Sequence, residues 1–399
     1  MQSGTKTPST GDQLEARVAQ TWFWEGFYVR RGVNLQRYYK EPLQVTDLDL
    51  LAFDLNPQLG ARRYIGEVKS GSGKNTPKPL DRIIWLAGLR TLVNADRGEL
   101  TSALTVSPRA RALGRGLNIT AQHVTDLERR ERDAVNGLRD MGSQGVTAFS
   151  LETRVREICK NDADLERAFG YLRGEALLLE PFLAAKQLIE ILRRLSSHWT
   201  PNVQDDDKLA VRWLAAEATS ILTFHFVSIA GQATTLDRPS WDALVNERLA
   251  EGALPAHQMR KLSDSVDKYV AGLMAAANAP ADLRTQAIGA FLPEAPDYAD
   301  PFAELCWRLK SDAPAARVLP RQLDFIVFER LVYQRDPDPT ATGRLGLARD
   351  GSTRFVRLVS GFIRGCGASF SELDEALAST FSSSGERQPV HGRETQPPQ

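Results

Sequence analysis

Two short apolar runs that carry charged residues constrain the fold of this 399-residue chain more than any other feature. The first run spans residues 45–53 and contains Asp49, and the second spans residues 65–69 and contains Glu67 and Lys69. Side chains alternate between the two faces of a strand, so Glu67 and Lys69 share one face. Buried charges in proteins are paired or bind a metal ion, so these runs predict a site in which the charged side chains meet. We expect two carboxylates and one ammonium group to converge on one edge of a sheet.

The first 142 residues have the pattern of an α/β domain. A helix of roughly 14 residues begins at a capping box formed by Thr10 and Gln13 and ends at Gly26. The elements expected after it are a strand over 27–30, the two runs above, a helix over 79–95, a strand over 100–106, a short helix from Pro108, a strand over 119–124 and a charged helix from Thr125. This order predicts a mixed sheet flanked by helices.

Apolar periodicity also predicts which side chains are buried in this domain. On the helix over 79–95, the residues expected on the buried face are Leu80, Ile84, Ala87 and Thr91, with Ile83 and Leu86 beside them. Three tryptophans on or beside apolar helical faces are expected in the core, namely Trp22, Trp24 and Trp85.

The residues Asp49, Glu67, Val68 and Lys69, with Glu15 on the preceding helix, resemble the PD-(D/E)xK superfamily, the restriction-endonuclease-like nucleases. The resemblance is to the branch with Holliday-junction resolvases and Mrr-type restriction enzymes, and it covers about the first 130 residues. It implies a restriction-endonuclease-like αβββαβ fold. Where that family often has Pro-Asp, this chain has Leu48 before Asp49, and Asp47 is a competing aspartate on the same face.

The resemblance implies a role for each residue of the motif. Asp49, Glu67 and the backbone carbonyl of Val68 would hold Mg²⁺ or Mn²⁺, helped through water by Glu15. Ligation by oxygen atoms alone suits these ions. Lys69 would orient the attacking water. The catalytic set is thus Asp49, Glu67, Lys69 and Glu15.

Basic residues follow the motif directly. Lys74, Lys78 and Arg82 are the candidates for phosphate contact, and residues 1–150 hold 21 Lys and Arg against 16 Asp and Glu. The glycine-rich stretch 70–77 is not a P-loop, because Val68 stands where the first glycine is required and Asn75 follows Lys74.

Residues 143–381 are expected to form a mainly α-helical second domain of unknown role. Proline residues divide its apolar segments, and no fixed repeat period is present. The least polar stretch, residues 218–231, is too short for a membrane span and suits a buried helix. From Ser382 to the end, polar and charged residues dominate, so we expect a disordered tail over 382–399.

Three other groups have structural interpretations. His225 lies within an apolar run without a second ligand at helical spacing, which indicates a core histidine. Asp205, Asp206 and Asp207 are typical of the acidic first turn of a helix. Cys159, Cys306 and Cys366 are far apart and odd in number, which indicates buried thiols in a reducing compartment.

The resemblance implies a metal-dependent DNA endonuclease in restriction or phage defence, and we expect it in the cytoplasm. Its helical domain would sense a trigger or bind a partner protein. RNA stays open as a substrate, DNA repair is the near alternative, and a homo-oligomer is compatible with the sequence. No contact with a membrane is expected. The alternative of a different class is an inactive nuclease-fold scaffold that serves binding or assembly.

Overall fold

The structure, a computed structural model, describes residues 9–38, 42–71, 73, 76–200, 204–251, 256–277 and 294–378. The expected tail over 382–399 and the side chain of Lys74 lie outside the described residues. The coarse prediction is confirmed, since a mixed sheet flanked by helices is followed by a largely helical remainder.

The N-terminal part is built on a five-stranded sheet whose strands lie in chain order. The strands are β1 (Tyr28–Tyr38), β2 (Pro42–Leu55), β3 (Ala61–Lys69), β4 (Arg97–Ser102) and β5 (Ile119–His123). β1, β2 and β3 pair antiparallel, whereas β3, β4 and β5 pair parallel. Parallel neighbours need a crossover connection, and each of the two crossovers contains a helix.

Four helices belong to this part of the chain. They are α1 (Thr10–Glu25), α2 (Pro79–Leu92), α3 (Pro108–Gly116) and α4 (Val124–Ala134). α1 packs closely on the sheet at Gly66, where an added Cβ would lie 3.0 Å from the Trp22 ring and 2.9 Å from Leu50. This close approach seats α1 against β3, beside Glu67.

The remaining described chain is helical. Its α-helices are α5 (Val146–Cys159), α6 (Ala163–Leu172), α7 (Pro181–His198), α8 (Asp205–Gln232), α9 (Arg238–Ala250), α10 (Ala256–Ala276), α11 (Ala299–Ser311), α12 (Ala313–Ala316), α13 (Leu319–Val327), α14 (Pro339–Arg344), α15 (Asp350–Gly365) and α16 (Ser371–Ala378). A π-helical turn, Phe328–Val332, continues α13, and short 3-10 turns occur at Gly142–Gln144, Glu175–Leu177 and Ala233–Thr235.

α8 is the central helix of this region and also covers the sheet. Its Phe224 ring stacks on Tyr28 of β1 at 5.1 Å and contacts Phe53 of β2 at 4.4 Å between centroids. The helix is long and apolar enough to cross a membrane by composition, but 89% of its most apolar window is buried inside the protein. It therefore has the packing expected of the buried helix predicted here.

A buried ion cluster joins the sheet to the helical region. Arg30 of β1 lies 2.9 Å from Glu217 of α8 and 2.8 Å from Asp324 of α13, and all three side chains are almost fully buried. The buried apolar side chains form one continuous cluster across the sheet and the helices. The division into domains at residues 142 and 143 stays a prediction.

Several local predictions were wrong. α1 is capped by Ser9 and Asp12 rather than Thr10 and Gln13, because their side chains bond each other's backbone N–H. β1 continues to Tyr38, and β4 begins three residues earlier than expected and ends at Ser102.

The prediction for α2 was wrong by one position around the helix. Its buried side chains are Ile83, Leu86 and Leu89, whereas Ile84 is 58% exposed and Trp85 is 45% exposed. Trp22 and Trp24 are buried as predicted. In a helix so rich in apolar residues, periodicity alone does not select between adjacent faces, and the packing on β4 and α3 makes the choice.

Candidate active site

The Asp49 carboxylate lies where β2 and β3 stop pairing. The described register between these strands ends at Leu50 and Gly66, so Asp49 and Glu67 come next on each strand. Asp49 Oδ2 accepts a hydrogen bond of 2.7 Å from the backbone N–H of Val68. This bond replaces the strand pairing and fixes the carboxylate over β3.

Glu67 is the buried centre of the cluster. Its side chain is only 4% exposed, and Oε1 lies 2.9 Å from Lys69 Nζ and 2.7 Å from an Arg82 guanidinium nitrogen. The angles at these two contacts are not those of a hydrogen bond, so the buried Oε1 forms ion pairs but accepts no hydrogen bond of good geometry among the described residues. Burial and the charge of Asp49 raise the pKa of Glu67, against the opposing effect of the two cations.

Lys69 connects the two carboxylates. Its Nζ lies 3.3 Å from Asp49 Oδ2 and 2.9 Å from Glu67 Oε1. Burial disfavours its charge, but the two carboxylates outweigh burial and raise the pKa of Lys69 above its usual value. Lys69 is therefore a fixed cation and hydrogen-bond donor, not a base.

Glu15 of α1 faces the same region. Together with Val68 and Lys69 it lines an open cleft of about 610 Å³, whose lining also includes Ser70, Gly71, Gly73, Thr76 and Pro77. The pKa of Glu15 is raised to about 7, mainly by burial and secondly by the negative charge of Asp49. The helix-borne carboxylate thus lies close enough to feel the charge of Asp49.

The other predicted residues occupy different positions. Asp47 is exposed two residues before Asp49, which is the aspartate in contact with Val68 and Lys69. Lys78 is exposed at the start of α2. Arg82, predicted from sequence to contact phosphate, points its guanidinium at Glu67 instead. Its contact depends on the rotation of α2, so strand and helix patterns could not reveal it.

A second group of potential metal ligands was not singled out from sequence. Asp162, Asp164 and His198 offer ligand atoms within 4.8 Å of one another, the single such trio among described residues. Asp162 caps α6 through two backbone N–H groups, and Asp164 is paired with Arg167 at 3.2 Å. Both carboxylates therefore already have structural partners.

Three structural predictions are confirmed. His225 is buried and its Nε2 lies 2.6 Å from the Ala176 carbonyl oxygen. The three aspartates at 205–207 form the first turn of α8. All three cysteines are buried, unpaired thiols.

No known protein family, curated protein or solved structure matches this chain. The residues and their geometry therefore carry the functional argument. The cluster combines Asp49, Glu67, Lys69 and Arg82, so its formal charges cancel.

The donor set fits a hard divalent cation. Asp49 and Glu67 supply carboxylate oxygens and Val68 supplies a backbone carbonyl, the oxygen ligands that Mg²⁺ and Mn²⁺ prefer. The two carboxylates, Asp49 and Glu67, both lie within 3.3 Å of Lys69 Nζ, and this convergence is the strongest sign of such a fit. Arg82 and Lys69 compete with a cation for the same oxygen.

Proposed function

We propose that this chain is a metal-dependent endonuclease of the PD-(D/E)xK type, with a restriction-endonuclease-like N-terminal fold, that hydrolyses phosphodiester bonds in DNA. The observation that carries the proposal is the position of Lys69 between two carboxylates on diverging strands. A helix-borne glutamate on the same cleft, Glu15, adds to it. Asp49, Glu67 and the Val68 carbonyl are the residues that would hold Mg²⁺ or Mn²⁺.

The bound cation would supply Lewis-acid polarisation of the phosphate and a lower pKa for the attacking water. The residues of the chain supply orientation and charge. Asp49 is held in place by the Val68 N–H, so its carboxylate needs little reorganisation. Lys69, kept protonated by its carboxylate neighbours, would donate a hydrogen bond to the attacking water and stabilise the charge that develops on the phosphate.

Substrate contact would come from the basic residues beside the cleft. Lys78 at the start of α2 is exposed, and the N-terminal 150 residues carry an excess of five positive charges. Arg82 forms an ion pair with Glu67, so its first partner is this carboxylate and a substrate phosphate would be its second. The helical region would serve as the sensor or partner-binding part of a restriction or defence nuclease.

One observation favours a second candidate of a different class. Lys69 and Arg82 already pair with Asp49 and Glu67, so the cluster needs no metal ion to balance its carboxylates. The second candidate is therefore an inactive nuclease-fold scaffold for binding or assembly. Titration with Mn²⁺ separates the two, since an active site binds the ion and loses it in Glu67→Ala, whereas a scaffold is indifferent.

The proposal is tested by incubating the full chain with supercoiled, linear and branched DNA and with RNA, in Mg²⁺ or in EDTA. We expect the wild type to cleave DNA in Mg²⁺ and not in EDTA. The Asp49→Ala variant should bind DNA as wild type does but should not cleave it. Cleavage that is equal in EDTA, or equal for Asp49→Ala, contradicts the assignment. Cleavage of RNA alone changes the substrate and leaves the site residues as assigned.

A further inference from the structure

A second pocket lies where the sheet meets α8. It has a volume of about 570 Å³, within the range of small-molecule sites. We call it the junction pocket, and the side chains that matter for its chemistry are Phe53, Arg63, Arg90, Asn94, Asp96 and His225. Arg63 precedes Glu67 by four residues on β3, which is roughly 13 Å along a strand, so this pocket is separate from the candidate active site.

Two guanidinium groups in the junction pocket have no carboxylate partner. Arg63 donates one N–H to the Val93 carbonyl, and Arg90 donates one to the Ala95 carbonyl at 3.3 Å. Among the described residues, no acidic group lies within ion-pair distance of either. The Nε atoms of both side chains are buried and make no hydrogen bond within that part of the chain.

Asp96 is the single acidic side chain that lines the pocket within the described chain, and it forms no ion pair with either arginine. Its Oδ2 accepts a hydrogen bond of 2.7 Å from the backbone N–H of Arg63. Burial lowers the pKa of Arg63, and the nearby charge of Asp96 opposes this effect only in part. The Arg63 guanidinium has a backbone carbonyl and the Phe53 ring, 5.7 Å away, as partners but no carboxylate in an ion pair, and an anion in the pocket would lower the cost of burying its charge.

His225 adds a hydrogen-bond acceptor. Its side chain is 1% exposed, and Nε2 is the nitrogen that donates to the Ala176 carbonyl, at 2.6 Å. The other ring nitrogen, Nδ1, is then an acceptor, and it has no partner among the described residues.

We propose that the junction pocket binds a small molecule with an oxyanion group, a phosphate or a carboxylate, held by Arg63 and Arg90. His225 Nδ1 lies beside this site but is closed to solvent, so the two arginines hold the ligand. Guanidinium groups suit this role because their planar fork matches both kinds of oxyanion. The pocket is lined by β2, β3, the last turn of α2 and the chain after it, and by Leu177, Leu179, Pro181 and α8 of the helical region, so the ligand bridges the sheet and the helical region.

Calorimetric titration of the full chain tests the proposal. The probes are pyrophosphate and malonate, each at constant ionic strength set with chloride, on wild type, Arg90→Gln and Arg62→Gln. Arg62 is exposed next to Arg63 and, one position along the strand, points to the opposite face, so it is the matched control. Circular dichroism shows that each variant is folded.

We expect at least one probe to bind wild type, and the stronger probe identifies the oxyanion. Arg90→Gln should weaken that binding by about tenfold or more, since a charge-assisted hydrogen bond is lost, and Arg62→Gln should change it by less than about twofold. If wild type binds neither probe up to about 10 mM, or if Arg62→Gln weakens binding as much as Arg90→Gln, the proposal is overturned. Should Arg90→Gln fail to fold, Arg63→Gln takes its place, and the result for wild type alone still decides.

Discussion

The Asp49 carboxylate accepts a 2.7 Å hydrogen bond from the backbone N–H of Val68, two residues along from where strand pairing between β2 and β3 ends. This single bond places an acidic group of one strand over the backbone of the next. Lys69 Nζ then reaches the same oxygen at 3.3 Å. The relationship explains how two diverging strands hold opposite charges at a fixed distance.

Arg82 should control access of a cation to Glu67. Replacing it with Gln removes one of the two cations at Oε1, so the apo protein should lose roughly 1–3 kcal/mol of stability. Mn²⁺ should then raise the melting temperature of Arg82→Gln by more than that of wild type. Thermal unfolding with and without Mn²⁺ measures both effects, with Arg115→Gln, an exposed arginine of α3, as the control. Equal shifts in all three proteins would show that Arg82 does not compete with the ion.

Gly66 should be intolerant of even one methyl group. An added Cβ would lie 2.9 Å from Leu50 and 3.0 Å from Trp22, so Gly66→Ala must move α1 or β2. We expect a loss of about 1–3 kcal/mol in urea unfolding. Gly88→Ala on α2, where an added Cβ meets nothing within 4 Å, should instead gain about 0.5–1 kcal/mol. A neutral Gly66→Ala would mean that α1 is not seated on β3 as described.

His225 should make stability fall in mild acid. Burial lowers its pKa from 6.5 to about 4, so between these values the unfolded chain binds a proton that the folded chain excludes. The folded state therefore loses stability as pH falls below 6.5, by about 2 kcal/mol at pH 5. His225→Gln lacks this loss, and the comparison of the two proteins by urea unfolding at pH 7.5 and pH 5 measures it. A difference between them that is the same at both pH values would contradict the buried neutral imidazole.

Sequence reasoning predicted the strand residues of the candidate site and Glu15 of α1, but it missed the contact that α2 makes through Arg82. The two-residue period of a strand requires Glu67 and Lys69 to share a face, and the apolar run after Asp49 indicates a neighbouring strand. Both expectations correspond to contacts in the structure. The contact of Arg82 with Glu67 depends on how α2 rotates on the sheet, and the same uncertainty explains why Trp85 was predicted to be buried.

Sequence reasoning predicted helices in the second half of the chain from their apolar segments, but it did not predict what this region does. The long run predicted as one buried helix is α8, and its central place is a consequence of being apolar on every face. Periodicity contains no information on which polar groups meet between distant segments. The pairing of Arg30 with Glu217 and Asp324, and the junction pocket around Arg63 and His225, therefore needed coordinates.

The most direct test of the central claim is single-turnover cleavage of supercoiled plasmid in Mg²⁺ by wild type, Lys69→Met and Lys160→Met. Lys160 is exposed beyond α5 and serves as the control for loss of an ammonium group. We predict that Lys69→Met reduces the cleavage rate by about a hundredfold or more while it stays folded, and that Lys160→Met cuts like wild type. A folded Lys69→Met that cuts at the wild-type rate would contradict the account.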